Sequence, residues 1–133
     1  MVRCVRLAGM TATRLLLVDD VSQVRQDLRT LLCLVGDIEI VGEAANGLEA
    51  LHQCEALQPD AVLMDLEMQV MDGYEATRQI KTLHPTCRVV ALTLHGYDSA
   101  RQKAIHAGVD AFVVKGAPLE ALLQAIDPQK GLQ

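Results

Sequence analysis

The chain has no tryptophan, one phenylalanine and two tyrosines among its 133 residues. Without aromatic bulk its interior has to be filled by Leu, Val, Ile, Ala and Met, which supply most of the 50% hydrophobic content. That palette suits buried parallel strands covered by helices on both faces. There is also no basic run: twelve Lys and Arg stand against seventeen Asp and Glu, for a formal charge of -5. Lacking both a basic stripe and stacking aromatics, the chain is not composed for direct nucleic-acid binding. No apolar run is long enough to cross a membrane or to serve as an export signal. The four cysteines, Cys4, Cys33, Cys54 and Cys87, are far apart and form no C-x-x-C pair. Buried reduced thiols in a cytoplasmic protein account for them better than a zinc site or a disulfide framework.

The length accommodates one domain with a real core. Residues 1–13 read as a loose N-terminal extension in which Met10 is an alternative start. Residues 14–127 read as the domain, and 128–133 as the beginning of a linker or tail. Within the domain, strand and helix patterns alternate five times. Strands are predicted at 14–19, 38–43, 60–65, 88–93 and 111–115; four are near-continuous apolar runs, while Ile38-Glu39-Ile40 alternates as an edge strand does. The first helix carries Val24, Leu28, Leu31, Leu32 and Val35 on one face, with Ser22 as N-cap and Gly36 as stop. Asn46-Gly47 opens the second helix and Pro59 closes it; the third runs from about Asp72 to Leu83, the fourth from Ser99 to Ala107, and the fifth begins at Pro118. Right-handed crossovers then give a doubly wound α/β fold with a parallel five-stranded sheet of order 2-1-3-4-5.

That order places the carboxyl ends of strands 1 and 3 side by side at a topological switch point, where open α/β sheets bind ligands. Asp19 and Asp20 close strand 1, Asp65 closes strand 3, Thr93 closes strand 4 and Lys115 closes strand 5. Taken singly, each has a plainer reading: a strand-end Asp is more often a turn or cap residue than a ligand. Phe112 on a strand is by default core, and Met64, Met68 and Met71 fill gaps. As a set they point to chemistry. Three carboxylates without a counter-charge repel one another, and a hard divalent cation such as Mg²⁺ resolves this through oxygen ligation. With Asp65 as nucleophile, attack on a phosphoryl group gives an aspartyl phosphate, whose oxygens Mg²⁺, the Lys115 ammonium and the Thr93 hydroxyl can hold.

The segments Leu15-Leu-Leu-Val-Asp-Asp20, Val62-Leu-Met-Asp65, Met71-Asp-Gly73, Ala91-Leu-Thr93 and Phe112-Val-Val-Lys115 resemble the signatures of a two-component response-regulator receiver domain over about residues 14–127. Ala91-Leu-Thr-Leu-His-Gly96 and the stretch from Ala107 to Leu122 are similar to the NarL/LuxR type. The resemblance implies that Asp65 is the phosphoacceptor and that Asp19, Asp20, Asp65 and the Glu67 backbone carbonyl bind Mg²⁺. It implies that Thr93 and Lys115 sense the phosphate and that Phe112 is the switching aromatic. The donor would be a partner sensor histidine kinase, helices 1 and 5 would be a possible homodimer face, and the output would be transcription through a DNA-binding domain that this chain does not contain. Such a domain is a cytoplasmic signalling module rather than an enzyme. Two departures stand out: Gln69 occupies a position where the family usually has Pro, implying a more mobile loop, and Leu94 is larger than the small residue common there. Glu67 and His95 flank the expected pocket mouth.

Rival readings do less well. A flavin binder needs a Ser, Thr or Gly-rich phosphate loop after strand 1, where this chain has Asp19-Asp20-Val21-Ser22. A haloacid-dehalogenase-like phosphatase needs a second Asp two residues after its nucleophile, where this chain has Glu67. The remaining alternative is an interaction module that keeps the receiver fold and docks a partner without phosphorylation.

Overall fold

The computed structural model describes residues 12–35, 37–94 and 96–128. Five strands alternate with five helices: β1 (Thr13–Val18), α1 (Ser22–Cys33), β2 (Ile38–Ala44), α2 (Gly47–Leu57), β3 (Ala61–Asp65), α3 (Gly73–Leu83), β4 (Arg88–Thr93), α4 (Asp98–Ala107), β5 (Ala111–Val114) and α5 (Leu119–Ile126). The strands form one sheet, ordered β2-β1-β3-β4-β5, and every pairing is parallel. This is the predicted doubly wound topology.

The near-continuous apolar strands follow from helices on both faces. Along β1, Leu15 and Leu17 point into a core shared with Leu63, Val90 and Leu92 and closed by Leu32 of α1 and Leu122 and Ile126 of α5. Leu16 and Val18 point the other way, against Val62, Met64 and Val89 and beneath Ala50 and Cys54 of α2 and Ala76 and Ile80 of α3. Each buried Leu or Ile contributes about 1.5–3 kcal/mol, so both faces must stay covered. The edge strand β2 is mostly half-buried, in keeping with its alternation. Its register with β1 slips after Leu15, which pairs with Ile40 while Leu16 pairs with Gly42. Val41 is the extra residue of this bulge.

Asn46 caps α2 by accepting from the Glu49 amide at 2.9 Å, and Asp72 caps α3 by accepting from the Glu75 amide at 2.9 Å. Gly108 ends α4 at φ 104°, a left-handed step suited to glycine. The start of α1 differs from expectation. Val21 is the capping residue and supplies no side-chain acceptor, whereas Ser22 is already the first helical residue. The first bond of the helix runs from the Arg25 amide to the Val21 carbonyl at 3.3 Å. Leu31 lies 40% exposed rather than on the covered face. The expected stop at Gly36, most of the 1–13 extension with Met10, and most of the 128–133 tail lie outside the described residues.

Cys54 and Cys87 are buried free thiols, as their surroundings suggested. Half-buried Cys33, at the end of α1, is instead disulfide-bonded, its side chain not sealed in the core as those of Cys54 and Cys87 are. Among the described residues no helix is long and apolar enough to cross a membrane.

Candidate functional site

Four loops leaving the carboxyl edge of the sheet build the site. After β1, Asp19 turns back into the protein and is only 2% exposed. Its amide donates to the Ala44 carbonyl at 3.1 Å, and its Oδ1 accepts from the Val21 amide at 2.9 Å. The Arg25 guanidinium of α1 donates to the Asp19 carbonyl and pairs with Glu43 of β2 at 2.9 Å, while Arg29 pairs with the other Glu43 oxygen at 2.7 Å. Burial alone would raise the Glu43 pKa, but the two guanidinium groups outweigh it and hold the carboxyl below its ordinary value. This ion network anchors the acidic loop to its neighbours. Sequence reading missed it, since Arg25 and Glu43 meet only through β1–β2 pairing.

Asp65 is the last residue of β3, and the chain folds tightly behind it. A Cβ on Gly73 would lie 2.1 Å from the Asp65 carbonyl oxygen, so no side chain fits there. The Gly73 amide donates to the Leu66 carbonyl at 3.0 Å, and the Gly47 amide to the Met71 carbonyl at 2.8 Å, pinning the loop against the start of α2. Between these anchors Met71 N–H bonds the Gln69 carbonyl at 2.8 Å across Val70, whose φ is 69°. That is a strained γ-turn on an exposed β-branched residue. It sits directly after Gln69, where the resemblance leads one to expect a rigid Pro.

Thr93 is buried at the end of β4, and its carbonyl accepts from the Lys115 amide at 2.7 Å. Lys115 turns its ammonium inward, 2.9 Å from Asp19 Oδ2 and 3.8 Å from Asp65 Oδ1. Carboxylate oxygens of Asp19, Asp20 and Asp65 lie within 4.8 Å of one another. Asp20 is the exposed member of the set. Five residues from four strand ends thus come to one edge, with three carboxylates meeting one ammonium.

The crowding has a measurable consequence. Burial, then the Asp19 charge, push the Asp65 carboxyl from 3.8 up to about 6; the Lys115 ammonium and the Glu67 amide, which donates to it at 3.4 Å, pull the other way, and Asp20 adds a smaller upward push. A carboxylate held this far above its usual range gains from any cation placed among the three. Hard oxygen donors at this spacing suit Mg²⁺.

Glu67 also lines an open cleft of about 640 Å³ beside Asp20, with Met68, Gln69, Tyr97 and Lys103 on its walls. Lys103 of α4 lies 4.3 Å from the centre of the Tyr74 ring, a cation–π contact between α4 and the first turn of α3. Neither residue stood out in the sequence, because both sit in ordinary helical patterns. Phe112 is half-buried on β5, packed toward Leu66, Ala91 and Ala104, and the Arg101 guanidinium lies 5.0 Å from its ring centre. It is therefore neither fully core nor free. Met64 is fully buried and Met68 and Met71 pack against the α2/α3 core, as gap-fillers do. Leu94 is exposed; His95 lies outside the described residues.

Comparison with known proteins agrees with this geometry. The family model of the response regulator receiver domain matches residues 15–127. The response regulator protein VraR of Staphylococcus aureus (strain Mu3 / ATCC 700698) is 41% identical over 113 residues, covering 85% of this chain and 54% of VraR. The chain thus spans about half the length of the curated relatives it matches. Among solved structures, a LuxR-family two-component response regulator from Aurantimonas sp. SI85-9A1 superposes with TM-score 0.84 at 34% identity, covering 90% of this chain and 85% of that one. The receiver domain of a response regulator described as NarL, from Mycobacterium tuberculosis, gives TM-score 0.81 at 27% identity, covering 87% and 97%. The chain belongs to the response regulator receiver family of two-component signalling, and the regulators it resembles are of the LuxR and NarL type.

Proposed function

We propose that Asp65 accepts a phosphoryl group from a histidine kinase in a Mg²⁺-dependent reaction, and that the aspartyl phosphate switches the domain's surface. The observation carrying this reading is the meeting of Asp19, Asp20 and Asp65 within 4.8 Å, with Lys115 reaching Asp19 and Asp65 from the opposite side. Asp19, Asp20, Asp65 and the Glu67 backbone carbonyl would hold the metal. When bound, Mg²⁺ neutralises the carboxylates and the charge on the transferring phosphoryl oxygens.

The chain's own residues do the rest. Above pH 6 Asp65 is mostly ionised and presents a carboxylate oxygen as nucleophile. It attacks phosphorus, the bond to the donor imidazole nitrogen breaks, and the imidazole departs. Lys115, tethered between Asp19 and Asp65, then pairs with a phosphoryl oxygen, and the Thr93 hydroxyl donates to another. Movement of Thr93 toward the phosphate leaves space beside Phe112, whose half-buried position lets it turn inward. The change shifts a pre-existing equilibrium of the α4–β5 surface.

The domain extends over residues 14–127, with 1–13 as an extension and 128–133 as the start of a linker. The output is transcription, through a DNA-binding domain; in support, one similar solved structure, 33% identical to this chain, is described as a DNA-binding response regulator of the LuxR family from Staphylococcus aureus. The domain acts in the cytoplasm, touches no nucleic acid itself, and pairs with a second copy through α1 and α5. As a signalling module, it takes part only in its own phosphorylation and dephosphorylation.

Thermal unfolding in a Mg²⁺ titration tests the pocket. The wild-type melting temperature should rise with saturation, and Asp20→Asn should need about tenfold or more Mg²⁺ for the same rise. Indifference of the wild type to Mg²⁺ would sink the reading and leave the phosphorylation-independent docking module in its place.

A further inference from the structure

At the opposite edge of the sheet from Asp65, Cys54 and Cys87 form a second chemical centre. Cys54 lies in the last turns of α2 and Cys87 immediately precedes β4; both are buried, at 1% and 4% exposure, in the core beneath α2 and α3. The two thiols are close enough for each to be the other's main electrostatic influence, and the Cys87 thiol points at the Arg88 carbonyl at 3.9 Å. They share the wall of a cavity of about 360 Å³ with Gln58, Asp60, His84 and Thr86. Gln58, Asp60 and Thr86 are exposed, so the cavity connects the sulfurs to solvent. A pair of adjacent thiols with a solvent channel is more than packing requires, because a small aliphatic side chain would fill either position.

The charges around the pair make the two sulfurs unequal. Lys81 of α3 donates to the Cys87 carbonyl at 2.9 Å, to the Pro85 carbonyl at 3.2 Å and to Asp110 at 2.9 Å. The neighbouring Cys54 thiol, with the Lys81 ammonium, moves the Cys87 thiol below its ordinary value against burial and the Asp110 and Asp60 charges. The Cys87 neighbour, with burial, moves Cys54 upward. Cys87 is thus the more readily ionised of the two, which suits it to attack and Cys54 to resolve. The neighbouring His84 imidazole is engaged with Glu55 at 3.3 Å.

We propose that Cys54 and Cys87 are an oxidative modification site, which a small hydroperoxide converts into an intramolecular disulfide linking the end of α2 to the start of β4. The Cys87 sulfur attacks the terminal oxygen of the hydroperoxide, the O–O bond breaks, and an alcohol, or water from hydrogen peroxide, leaves with a proton. This gives Cys87 sulfenic acid. The Cys54 sulfur then attacks the Cys87 sulfur, the S–O bond breaks, and hydroxide departs with the Cys54 proton as water. Two thiols have lost two electrons and two protons, and the peroxide has gained both. A dithiol reverses the reaction by exchange. The sulfurs share one cavity wall and close to about 2.05 Å in the bridge, a movement that the cavity beside them accommodates.

The test treats the folded full chain with hydrogen peroxide, quenches, denatures and alkylates, then maps peptides by mass spectrometry. The expected product has lost two hydrogen atoms in mass, carries a peptide joining Cys54 to Cys87, and reverts with dithiothreitol. In the Cys54→Ser variant the Cys87 sulfenic acid should persist and be trapped by dimedone, whereas in Cys87→Ser oxidation of Cys54 should be slower by about tenfold or more. Both thiols remaining fully alkylable in the treated wild type, oxygen addition without a bridge, or a bridge to a second molecule would each overturn the proposal. The wild-type peptide map decides without the variants, and no outcome depends on phosphorylation at Asp65.

Discussion

Replacing Asp65 by Asn removes a carboxylate that folding makes harder to ionise. Its pKa moves from 3.8 up to about 6, chiefly through burial and the Asp19 charge. A shift of about 2 units at about 1.36 kcal/mol each makes ionised Asp65 cost about 3 kcal/mol of stability above the folded pKa. Between the two values the native state keeps a proton that the unfolded chain has released. Stability therefore falls as pH rises from about 4 to about 6, and the penalty is constant above that window and absent below it. The side chain is 9% exposed, so little of the figure is lost to solvent screening. The Asp65→Asn variant carries no such proton, and groups common to both proteins cancel in the difference. Urea unfolding in EDTA should show the variant gaining about 3 kcal/mol over wild type between about pH 4 and pH 8. Saturating Mg²⁺ should remove most of that advantage, since a ligand at a hundred times its Kd stabilises the wild type by about 2.7 kcal/mol. A difference that does not change with pH, or that shrinks as pH rises, would refute the electrostatic account of the pocket.

Other substitutions probe its surroundings. Lys115→Ala takes an ammonium from Asp19 and Asp65 and should cost about 3 kcal/mol in EDTA and less in Mg²⁺; phosphorylation should persist, while the spectral or oligomeric response to it disappears. Gly73→Ala places a methyl 2.1 Å from the Asp65 carbonyl oxygen and should cost several kcal/mol or displace β3's end, read as a lowered urea midpoint with weakened Mg²⁺ binding. Val70→Gly relieves a left-handed φ of 69° and should raise stability by about 1 kcal/mol after the glycine entropy cost, measured by the same unfolding; a loss would show that the γ-turn is not strained.

The fold was legible because burial on both faces writes strands as unbroken apolar runs. Val62, Leu63 and Met64 could have no other purpose beside a polar Asp65, and β4 and β5 read the same way. Site residues were legible for a related reason: a polar side chain ending each run must sit at the carboxyl edge once the strands are parallel. What escaped were features made by contacts between elements. The Arg25–Glu43–Arg29 network, the β2 bulge at Val41 and the Lys103–Tyr74 contact all join residues whose own helices or strands look ordinary. The start of α1 misled because Ser22 has the chemistry of a cap, yet Asp19 takes the Val21 amide and the helix begins one residue early. The adjacency of Cys54 and Cys87, 33 positions apart, likewise appears only once α2 lies against the start of β4.

Intact-mass spectrometry after incubation with acetyl phosphate and Mg²⁺ tests the central claim most directly, run beside an EDTA control and the Asp65→Asn variant. The account predicts one phosphoryl adduct on the wild type, none in EDTA and none on the variant. An adduct of equal stoichiometry on the Asp65→Asn variant would contradict the assignment of Asp65 as phosphoacceptor.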